Sequence, residues 1–555
     1  MRSFRKRVAI IAPLAVLALS AAACSSGSSD SKKDTKKATT VTVKQGGTLV
    51  YAADQEPTGF NNSTSKDNGT SVGNIVETIF PSVFHAQPDF TLKLDTDFMV
   101  SAEITKADPE TITYKIKPEA KWDDGSDINA DDFIYFWEAQ NGKAHPDYDV
   151  ASNTGYEDIQ SVTGSDNGKT VTVVFANKFA DWKSLFGVGQ GLLESKIMKT
   201  LPGGWNTGLD KSLPFSGGPF KIGSYKPGDN LTLVRNDKYF GPKSKLDSIV
   251  FRFLPESTTQ PAALQNGEVQ LIYPQPQLDD VAKIKTIPGV SSQINFGLSF
   301  EHLDFNFKTP GLDDVAVRKA MATALDRTEL LNATVKQFSD KATVLGNRIW
   351  LTGQPQYADH SGSFGKGDVA GATSLLEKAG YAKGPDGIYA KGGKPLAFKF
   401  STTAGNKLRE QQGVLFQAQM KKAGIQINID NKPSKVLFPA LSKGQFEISD
   451  FAWVGTPFSV SSNKAIYSTG GGSNYGKYSN PTVDKKFTDA NGELDEKKSA
   501  ALANEVDQQL WDDMVTIPLY QKPTFIAFKD TFGNIRDNAT SEGPFFNAGT
   551  WGLKQ

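Results

Sequence analysis

Alternating and helix-spaced apolar residues follow one another along most of the chain. Residues 111–116 alternate apolar and polar positions as a half-buried strand does. Residues 159–175 predict two strands joined around Asp166-Asn167-Gly168, a strong hairpin signal. Between them, Asn129 is a good N-cap for a helix with acidic residues in its first turn. The N-terminal half therefore mixes strands and helices.

The C-terminal half predicts a repeated succession of helix, glycine and strand. We expect helices at 313–335, 368–379 and 406–423, and strands at 396–400 and 425–429. Gly380 and Gly424 stand where a helix C-terminus needs a residue with positive φ. Since no repeat of solenoid length is present, these patterns indicate a mixed, multidomain α/β protein.

The N-terminus has the pattern of an export signal. A positively charged start and an apolar run lead through Ser20-Ala21-Ala22-Ala23 to Cys24, which predicts a signal peptide at 1–23. The small residues before Cys24 resemble a bacterial lipobox, although Ala21 stands where Leu is usual. That resemblance implies that Cys24 is lipidated and becomes the mature N-terminus. An ordinary signal peptide with a chance cysteine is the alternative. The polar stretch that follows predicts a flexible tether, so we assign 24–45 to the lipidated cysteine and its tether.

Composition excludes several classes of protein. The 555 residues predict three to four domains at about 150 residues per domain. With 61 basic and 61 acidic residues, the chain lacks the positive excess of a nucleic-acid-binding protein. A single cysteine cannot form an intramolecular disulfide. After residue 24, no apolar run approaches the roughly 20 residues that a membrane-spanning helix requires.

Motifs for catalysis match poorly. Residues 164–170 resemble a phosphate loop, but three residues separate the glycines where four are needed, and the segment lies in the predicted hairpin. Ser63-Thr64-Ser65-Lys66 matches the Ser-x-x-Lys of penicillin-recognising enzymes, without a Lys-Thr-Gly partner. The four histidines form no His-Glu-x-x-His zinc motif. We therefore expect no catalytic residues, no metal site and no cofactor, with an exported serine hydrolase as the alternative.

Seven short blocks form an ordered series between residues 46 and 555. They lie at 46–52, 122–132, 217–239, 262–269, 303–327, 375–381 and 517–520. In this order they resemble family 5 of the extracytoplasmic solute-binding proteins, the receptors of oligopeptide- and dipeptide-type ABC importers. The block at 303–327 is the most specific. Within it, we expect Asn306, Arg318 and Asp326-Arg327 to have structural roles rather than to contact a ligand.

The resemblance implies a two-lobed, periplasmic-binding-protein-like (type II) α/β fold, hinged by crossover strands, with an extra domain in one lobe. It places lobe 1 at 46–75, 190–295 and 515–555, an extra domain packed on lobe 1 at 76–189, and lobe 2 at 296–514. It also implies a monomer, lipid-anchored on the outer face of the cytoplasmic membrane, that captures oligopeptides or similar solutes between its lobes and delivers them to a permease. Sugar oligomers, metal chelates and haem are the alternative ligands in this fold.

The resemblance also implies where the ligand binds. The residues are Thr58, Phe60, Asn61, Trp453, Val454, Gly455, Thr456, Asn474 and Tyr475. Several peptide-binding relatives have an Asp shortly after the Trp, where it pairs with the α-ammonium of the peptide; this chain has Thr456 there. Asp450 is the nearest acid, but strand alternation places it on the face opposite Trp453. We therefore expect backbone hydrogen bonds and aromatic packing to dominate recognition.

Overall fold

Strands and helices alternate through residues 40–555, the part of the chain that the computed structural model describes. The predicted signal peptide and Cys24 lie outside the described residues. The strands are β1 (Thr48–Ala53), β2 (Phe84–Ala86), β3 (Leu92–Leu94), β4 (Met99–Ala107), β5 (Glu110–Ile116), β6 (Ile159–Ser165), β7 (Thr170–Phe175), β8 (Phe220–Lys226), β9 (Asn230–Arg235), β10 (Ser248–Phe253), β11 (Leu271–Ile272), β12 (Val290–Phe305), β13 (Ala382–Lys383), β14 (Tyr389–Lys391), β15 (Lys394–Pro395), β16 (Ala397–Ser401), β17 (Gln426–Ile429), β18 (Ile448–Val454), β19 (Thr516–Lys529), β20 (Phe532–Gly533) and β21 (Gly552–Leu553).

The α-helices are mostly short. They are α1 (Thr70–Val76), α2 (Ala130–Gln140), α3 (Ser195–Met198), α4 (Gly204–Thr207), α5 (Gln260–Asn266), α6 (Leu278–Ile284), α7 (Val315–Ala324), α8 (Arg327–Ala333), α9 (Val369–Lys378), α10 (Lys407–Lys422), α11 (Ser434–Ser442), α12 (Ser459–Tyr467), α13 (Pro481–Asn491) and α14 (Glu496–Asp512). Within the described part of the chain, none of these helices has the length and apolar character needed to cross a bilayer.

A ten-stranded sheet forms the centre of the fold. Its strand order is β17-β16-β18-β12-β19-β11-β1-β10-β9-β8. The two long strands β12 and β19 pair antiparallel in the middle, and irregularities in their register occur near Phe296–Phe300 and Glu301–His302. On one side of this pair, β18 is hydrogen-bonded to β12. On the other side, β11 is hydrogen-bonded to β19 and β1 to β11. The long strands therefore connect the two halves of the sheet.

A separate four-stranded sheet, in the order β4-β5-β7-β6, confirms the predicted hairpin. Asp166 and Asn167 adopt positive φ in the turn, as the hairpin signal requires. The predicted helix also forms as α2. The Asn129 side chain accepts a hydrogen bond from the Asp131 amide, and the Asp132 carboxylate accepts one from the Asn129 amide.

Two sequence predictions differ from the structure. The predicted helix 313–335 is wrong as a single element, because Leu325 adopts an extended conformation and Asp326 N-caps α8 through the Glu329 amide. The predicted tether also ends earlier than residue 45. Val43 forms a β-bridge with Lys554, since its apolar side chain can pack against the C-terminal segment. The predictions for the segments at α9, α10, β16 and β17 are confirmed within one or two residues.

Candidate ligand-binding cleft

A cavity of about 500 Å³ separates loops of the N-terminal half from the segment that follows β18. Its walls combine hydroxyl and amide side chains with a few apolar ones. They come from Asn62, Asn68, Gly69, Thr70, Gly73, Ser152, Thr154, Tyr156, Ser184, Leu185, Val188, Gly189, Gln190, Val454, Thr456, Phe458, Ser461, Ser462, Ala465 and Ser541. None of the described residues that line this cavity is an Asp, Glu, Lys or Arg. The cavity can therefore offer many neutral hydrogen bonds but no lining charge.

Asn62 lies on the N-terminal wall, between β1 and α1. Its side-chain amide donates to the Gly189 carbonyl, which fixes the orientation of the group. Its Oδ1 atom is buried and accepts no hydrogen bond from any described residue. Because an unsatisfied buried acceptor costs free energy, a ligand N–H or O–H would satisfy this atom once a movement of the wall exposed Oδ1 to the cavity. The family resemblance indicated Asn61 but not its neighbour Asn62.

The opposite wall is built by the end of β18 and the start of α12. Val454 is 71% exposed, and Thr456 Oγ1 lies 2.7 Å from Ser462 Oγ. The Gly455 amide donates to the Leu298 carbonyl, which holds this segment against β12. Of the nine ligand-binding residues predicted from the resemblance, Val454 and Thr456 line the cavity.

The other predicted residues on the N-terminal side hold the loop that forms the wall. Thr58 donates a hydrogen bond to Asp67, and Phe60 is fully buried with its ring edge-on to Tyr225. The side chain of Asn61 donates to the Trp205 carbonyl. None of these three side chains lines the cavity, and a direct ligand contact by them stays a prediction.

Asn474 and Tyr475, two of the predicted ligand-binding residues, lie in the glycine-rich loop that follows α12. The Asn474 side-chain amide donates to the carbonyls of Ser468 and Tyr478, and its Oδ1 accepts from the Tyr478 amide. Both ends of the amide are therefore used within the loop. Tyr475 packs against Trp453, with ring centroids 5.3 Å apart. Asn474 and Tyr475 border a smaller void rather than the cavity.

Trp453 belongs to an aromatic cluster behind the cavity wall. Its ring lies 5.2 Å from that of Phe451 and is stacked on His302 at 6.0 Å. Burial lowers the pKa of His302 to about 3, so this imidazole is neutral and packs as an aromatic ring. Trp453 Nε1 is buried without a hydrogen-bond acceptor among the described residues. The indole is therefore held by packing alone.

Asp450 lies on the other face of β18, in a buried charged network. Glu301 accepts hydrogen bonds from the Arg409 guanidinium at 2.9 to 3.2 Å, and Lys522 Nζ lies 3.5 Å from Glu301 Oε1. Burial and the neighbouring charge of Glu301 raise the pKa of Asp450 well above its ordinary value. Asp450 is fully buried. It therefore cannot act as the partner of a ligand ammonium in the cavity.

Arg348 lies close behind Thr456 but is already paired. The two residues border a small void, and the guanidinium donates to Asp507 Oδ1 at 3.4 Å and to the Thr516 carbonyl at 2.6 Å. His360 Nδ1 lies 2.7 Å from the other Asp507 oxygen. This guanidinium is thus held by protein acceptors, which leaves the cavity wall uncharged.

The two walls meet directly beside the cavity. Asp181 Oδ2 accepts a hydrogen bond from the Ser461 amide at 3.1 Å, near the N-terminus of α12, where no side chain of the helix itself forms the cap. The Ala180 amide donates to the Asn491 carbonyl at 2.7 Å. Lys183 lies 3.7 Å from Glu496, and both side chains are exposed. These contacts join the loop at 178–184 to helices α12, α13 and α14.

Comparison with known proteins places this architecture in a family. The family model described as bacterial extracellular solute-binding proteins, family 5, middle region, matches residues 99–475, which is more than half of the chain. The chain belongs to this family. The predicted recognition and the predicted two-lobed type II α/β fold are thereby confirmed.

Relatives and solved structures agree over most of the chain. The oligopeptide-binding protein OppA of Mycobacterium tuberculosis is 30% identical over 89% of this chain and 83% of its own length. AppA of Bacillus subtilis, also named an oligopeptide-binding protein, is 25% identical over 96% of both chains. The periplasmic EDTA-binding protein EppA is 31% identical, covers 93% of this chain and 98% of its own, and superposes with a TM-score of 0.89. The family membership thus extends beyond the matched middle region.

Proposed function

We propose that this family 5 protein captures oligopeptides, or similar neutral polar solutes, in the cavity between Asn62 and Thr456 and delivers them to an ABC permease. The uncharged, hydrogen-bonding lining of the cavity carries this proposal. Its volume of about 500 Å³ falls within the range of roughly 300 to 1,000 Å³ typical of small-ligand sites. The relatives named as oligopeptide-binding proteins support the same ligand class.

Closure of two lobes would enclose the ligand. We assign lobe 1 to 46–75, 190–295 and 515–555, the extra domain to 76–189, and lobe 2 to 296–514. In this division one boundary falls within β12 and the other falls just before β19, which pairs with β12. The cavity is bordered by both lobes and the extra domain. A ligand that contacts both walls favours the closed state. A shift from 1:99 to 99:1 requires about 5.5 kcal/mol of differential binding.

Recognition would depend on the peptide backbone rather than on its terminal charges. Asn62 Oδ1 has no donor among the described residues and would accept a backbone N–H once the wall exposed it, and the hydroxyls of Thr456 and Ser462 can donate or accept. The lining contains no carboxylate to pair with an α-ammonium, and Asp450 is buried on the far face of β18. We therefore expect free and N-acetylated peptides to bind with similar affinity.

A neutral, hydroxyl-rich solute such as a sugar oligomer is the second candidate. The same serines, threonines and amides would serve its hydroxyl groups. A metal chelate of the EDTA type carries negative charge, and its burial beside an uncharged wall lacks a compensating cation. The cavity lining therefore favours a neutral ligand over such a chelate, although a relative is named as EDTA-binding.

The chain would act as a monomer outside the cytoplasmic membrane. Membership of an extracellular family supports export, and the cysteine at the end of the signal-like segment supports a lipid anchor at Cys24. A single acyl chain gives only marginal membrane binding, so at least two chains are expected on this residue. The anchor would hold the folded domain near its permease.

Calorimetric titration of the mature protein tests the ligand class. The probes are tetra-alanine, N-acetyl-tetra-alanine, maltotriose and Fe(III)-EDTA, preceded by native mass spectrometry for any co-purified solute. We expect binding of both peptides with nearly equal affinity. Loss of about 2 kcal/mol or more on acetylation would show that an acid holds the peptide amine. Binding of maltotriose or Fe(III)-EDTA without either peptide would replace the peptide proposal, and hydrolysis of a bound peptide would contradict a receptor.

Substitution of Asn62 tests the cavity itself. Asn62→Leu removes the free acceptor and should weaken tetra-alanine binding about fivefold, the effect of losing one neutral hydrogen bond of about 1 kcal/mol. Asn68→Leu is the matched control, because Asn68 also lines the cavity but is an exposed residue. Equal effects of the two substitutions would show that the Asn62 acceptor is not used.

A further inference from the structure

Three carboxylates surround His85 at a place separate from the cleft. Glu77 follows the end of α1, His85 lies in β2, Asp95 follows β3, and Glu542 lies near the C-terminus of the chain. The donor atoms of Glu77, His85 and Glu542 all lie within 4.8 Å of one another. Two neighbouring segments and one from the C-terminal region thus bring potential ligand atoms to one point.

The distances in this cluster are poorly explained by hydrogen bonds alone. His85 Nδ1 lies 3.2 Å from Glu77 Oε1 and 3.3 Å from Glu542 Oε2. Charge-assisted N–H···O bonds are usually about 2.7 to 2.9 Å long. Nδ1 can carry only one proton, and its hydrogen bond is directed to Glu542. Glu77 Oε1 is therefore left without a hydrogen-bond donor among the described residues, on a side chain that is 5% exposed.

The cluster also has excess negative charge. The carboxylates of Glu77, Asp95 and Glu542 form ion pairs with His85, and no described Lys or Arg pairs with any of them. One imidazolium can neutralise only one of three carboxylates. Because buried unpaired charge is costly, a divalent cation at this point would supply the missing positive charge.

We propose that Glu77 Oε1, His85 Nδ1 and Glu542 Oε2 bind a divalent transition-metal ion, with Zn²⁺ as the best match. Zn²⁺ forms bonds of about 2.0 Å to nitrogen and oxygen, and at the tetrahedral angle two such donors lie about 3.3 Å apart. The observed separations of 3.2 and 3.3 Å have this value before any movement of the side chains. Two oxygens and one imidazole nitrogen are ligands that Zn²⁺ accepts.

Asp95 completes the arrangement as a positioning residue. Its Oδ2 lies 3.5 Å from His85 Nε2. Metal-binding histidines commonly donate the second ring N–H to a carboxylate, which fixes the tautomer that presents the other nitrogen to the metal. In the metal-bound state the proton would stay on Nε2, and the lone pair of Nδ1 would face the ion between Glu77 and Glu542. The cluster thus has both the ligands and the group that orients one of them.

The fourth coordination position has access to solvent. Glu77, His85 and Asp95 border a cavity of about 350 Å³, which has no lining residue in common with the ligand cleft. This cavity gives the ion an entry path and room for a bound water. The metal would also connect the cleft wall to the proposed extra domain, because Ser541, next to Glu542, lines the cleft, whereas Glu77 and His85 lie within 76–189.

Metal analysis of the chelator-treated mature protein tests this site. Titration with Zn²⁺ should give one ion per chain and raise the unfolding temperature. Glu77→Gln and Glu542→Gln should each weaken binding at least 100-fold, and Asp95→Asn should weaken it 10- to 100-fold. His145→Gln is the matched control, because His145 stacks on Tyr148 and has no carboxylate partner. It should leave the affinity unchanged.

A measurement on the wild-type protein remains decisive if a variant fails to fold. X-ray absorption at the zinc edge should show one imidazole nitrogen and oxygen ligands at about 2.0 Å. Absence of Zn²⁺ binding, sulfur ligation, or binding by both glutamine variants as tight as that of the wild-type protein would overturn the proposal. These outcomes are independent of the peptide titrations, since the two sites share no lining residue.

Discussion

Asp181 holds the two walls of the cleft together, and its removal should open the cleft. The carboxylate accepts the Ser461 amide hydrogen bond across the gap, and α12 has no side-chain cap of its own. Loss of an N-cap costs about 1 kcal/mol, within a range of roughly 0.5 to 2. The bond exists only when the walls meet, so Asp181→Ala should reduce the ratio of closed to open molecules about fivefold.

Hydrogen exchange of the unliganded protein measures this ratio directly. The Ala180 amide donates to the Asn491 carbonyl across the same gap, so its protection depends on closure. Mass spectrometry of a peptide that covers 178–184 should show about fivefold faster exchange in Asp181→Ala. Asp181→Asn should retain most of the protection, because Asn is also a good N-cap.

Lys183→Ala is the matched control on the same loop. Its ion pair with Glu496 is exposed, and exposed pairs contribute about 0 to 1 kcal/mol. Exchange at Ala180 should therefore change less in this variant than in Asp181→Ala. Unchanged exchange in Asp181→Ala, or equal changes in both variants, would refute the assignment of Asp181 as the contact that holds the walls together.

Three further predictions concern pH, a buried ion pair and the anchor. Burial raises the pKa of Glu110 from 4.5 to about 7, so the folded state binds more protons than the unfolded state between these values. The free energy of unfolding should thus fall as pH rises from about 5 to 7. In denaturant titrations Glu110→Gln should reduce this slope, whereas the exposed Glu119→Gln should not. Arg409→Met should lower the free energy of unfolding by about 3 kcal/mol, because it leaves Glu301 buried with weaker compensation; a denaturant titration that shows a loss below 1 kcal/mol would contradict this estimate. Cys24→Ser should abolish incorporation of a fatty-acid analogue, and a wild-type protein without label would contradict lipidation.

The sequence predicts elements well where their ends are encoded locally. Asp368 caps α9 through the Gly371 amide, and Gly380 follows the helix with positive φ. The break between α7 and α8 was missed because the apolar spacing continues across it. Leu325 is buried in its extended conformation just as it would be in a helix. Apolar periodicity alone therefore cannot locate such a break.

The structural roles expected in the most specific block are confirmed. The Arg318 guanidinium donates to the carbonyls of Leu312, Asp513 and Met514, and the Asn306 side chain donates to the carbonyl of Phe446. These side chains connect backbone segments that are distant in the sequence. The family resemblance identified Arg318 and Asn306. Each side chain has several N–H donors, which explains why it can connect separate backbone segments.

The site could be predicted on one wall only. The resemblance indicated Thr456 through its position after Trp453, whereas Asn62 and Ser184 lie in loops that the fold brings to the cavity. No periodicity describes such loops. The sequence also did not indicate that Glu77 and Glu542 lie together, because their separation in the chain corresponds to no metal-binding motif.

The central position of β12 imposes an order on folding. Both of its neighbours, β18 and β19, come later in the chain, and β19 begins roughly 200 residues after β12 ends. Whichever compartment the chain folds in, β12 lacks this partner until roughly 200 further residues have emerged. Strands β11, β1, β10, β9 and β8 can pair earlier, while both edges of β12 stay open to aggregation. Protection of this one strand by a chaperone would therefore matter most during biogenesis.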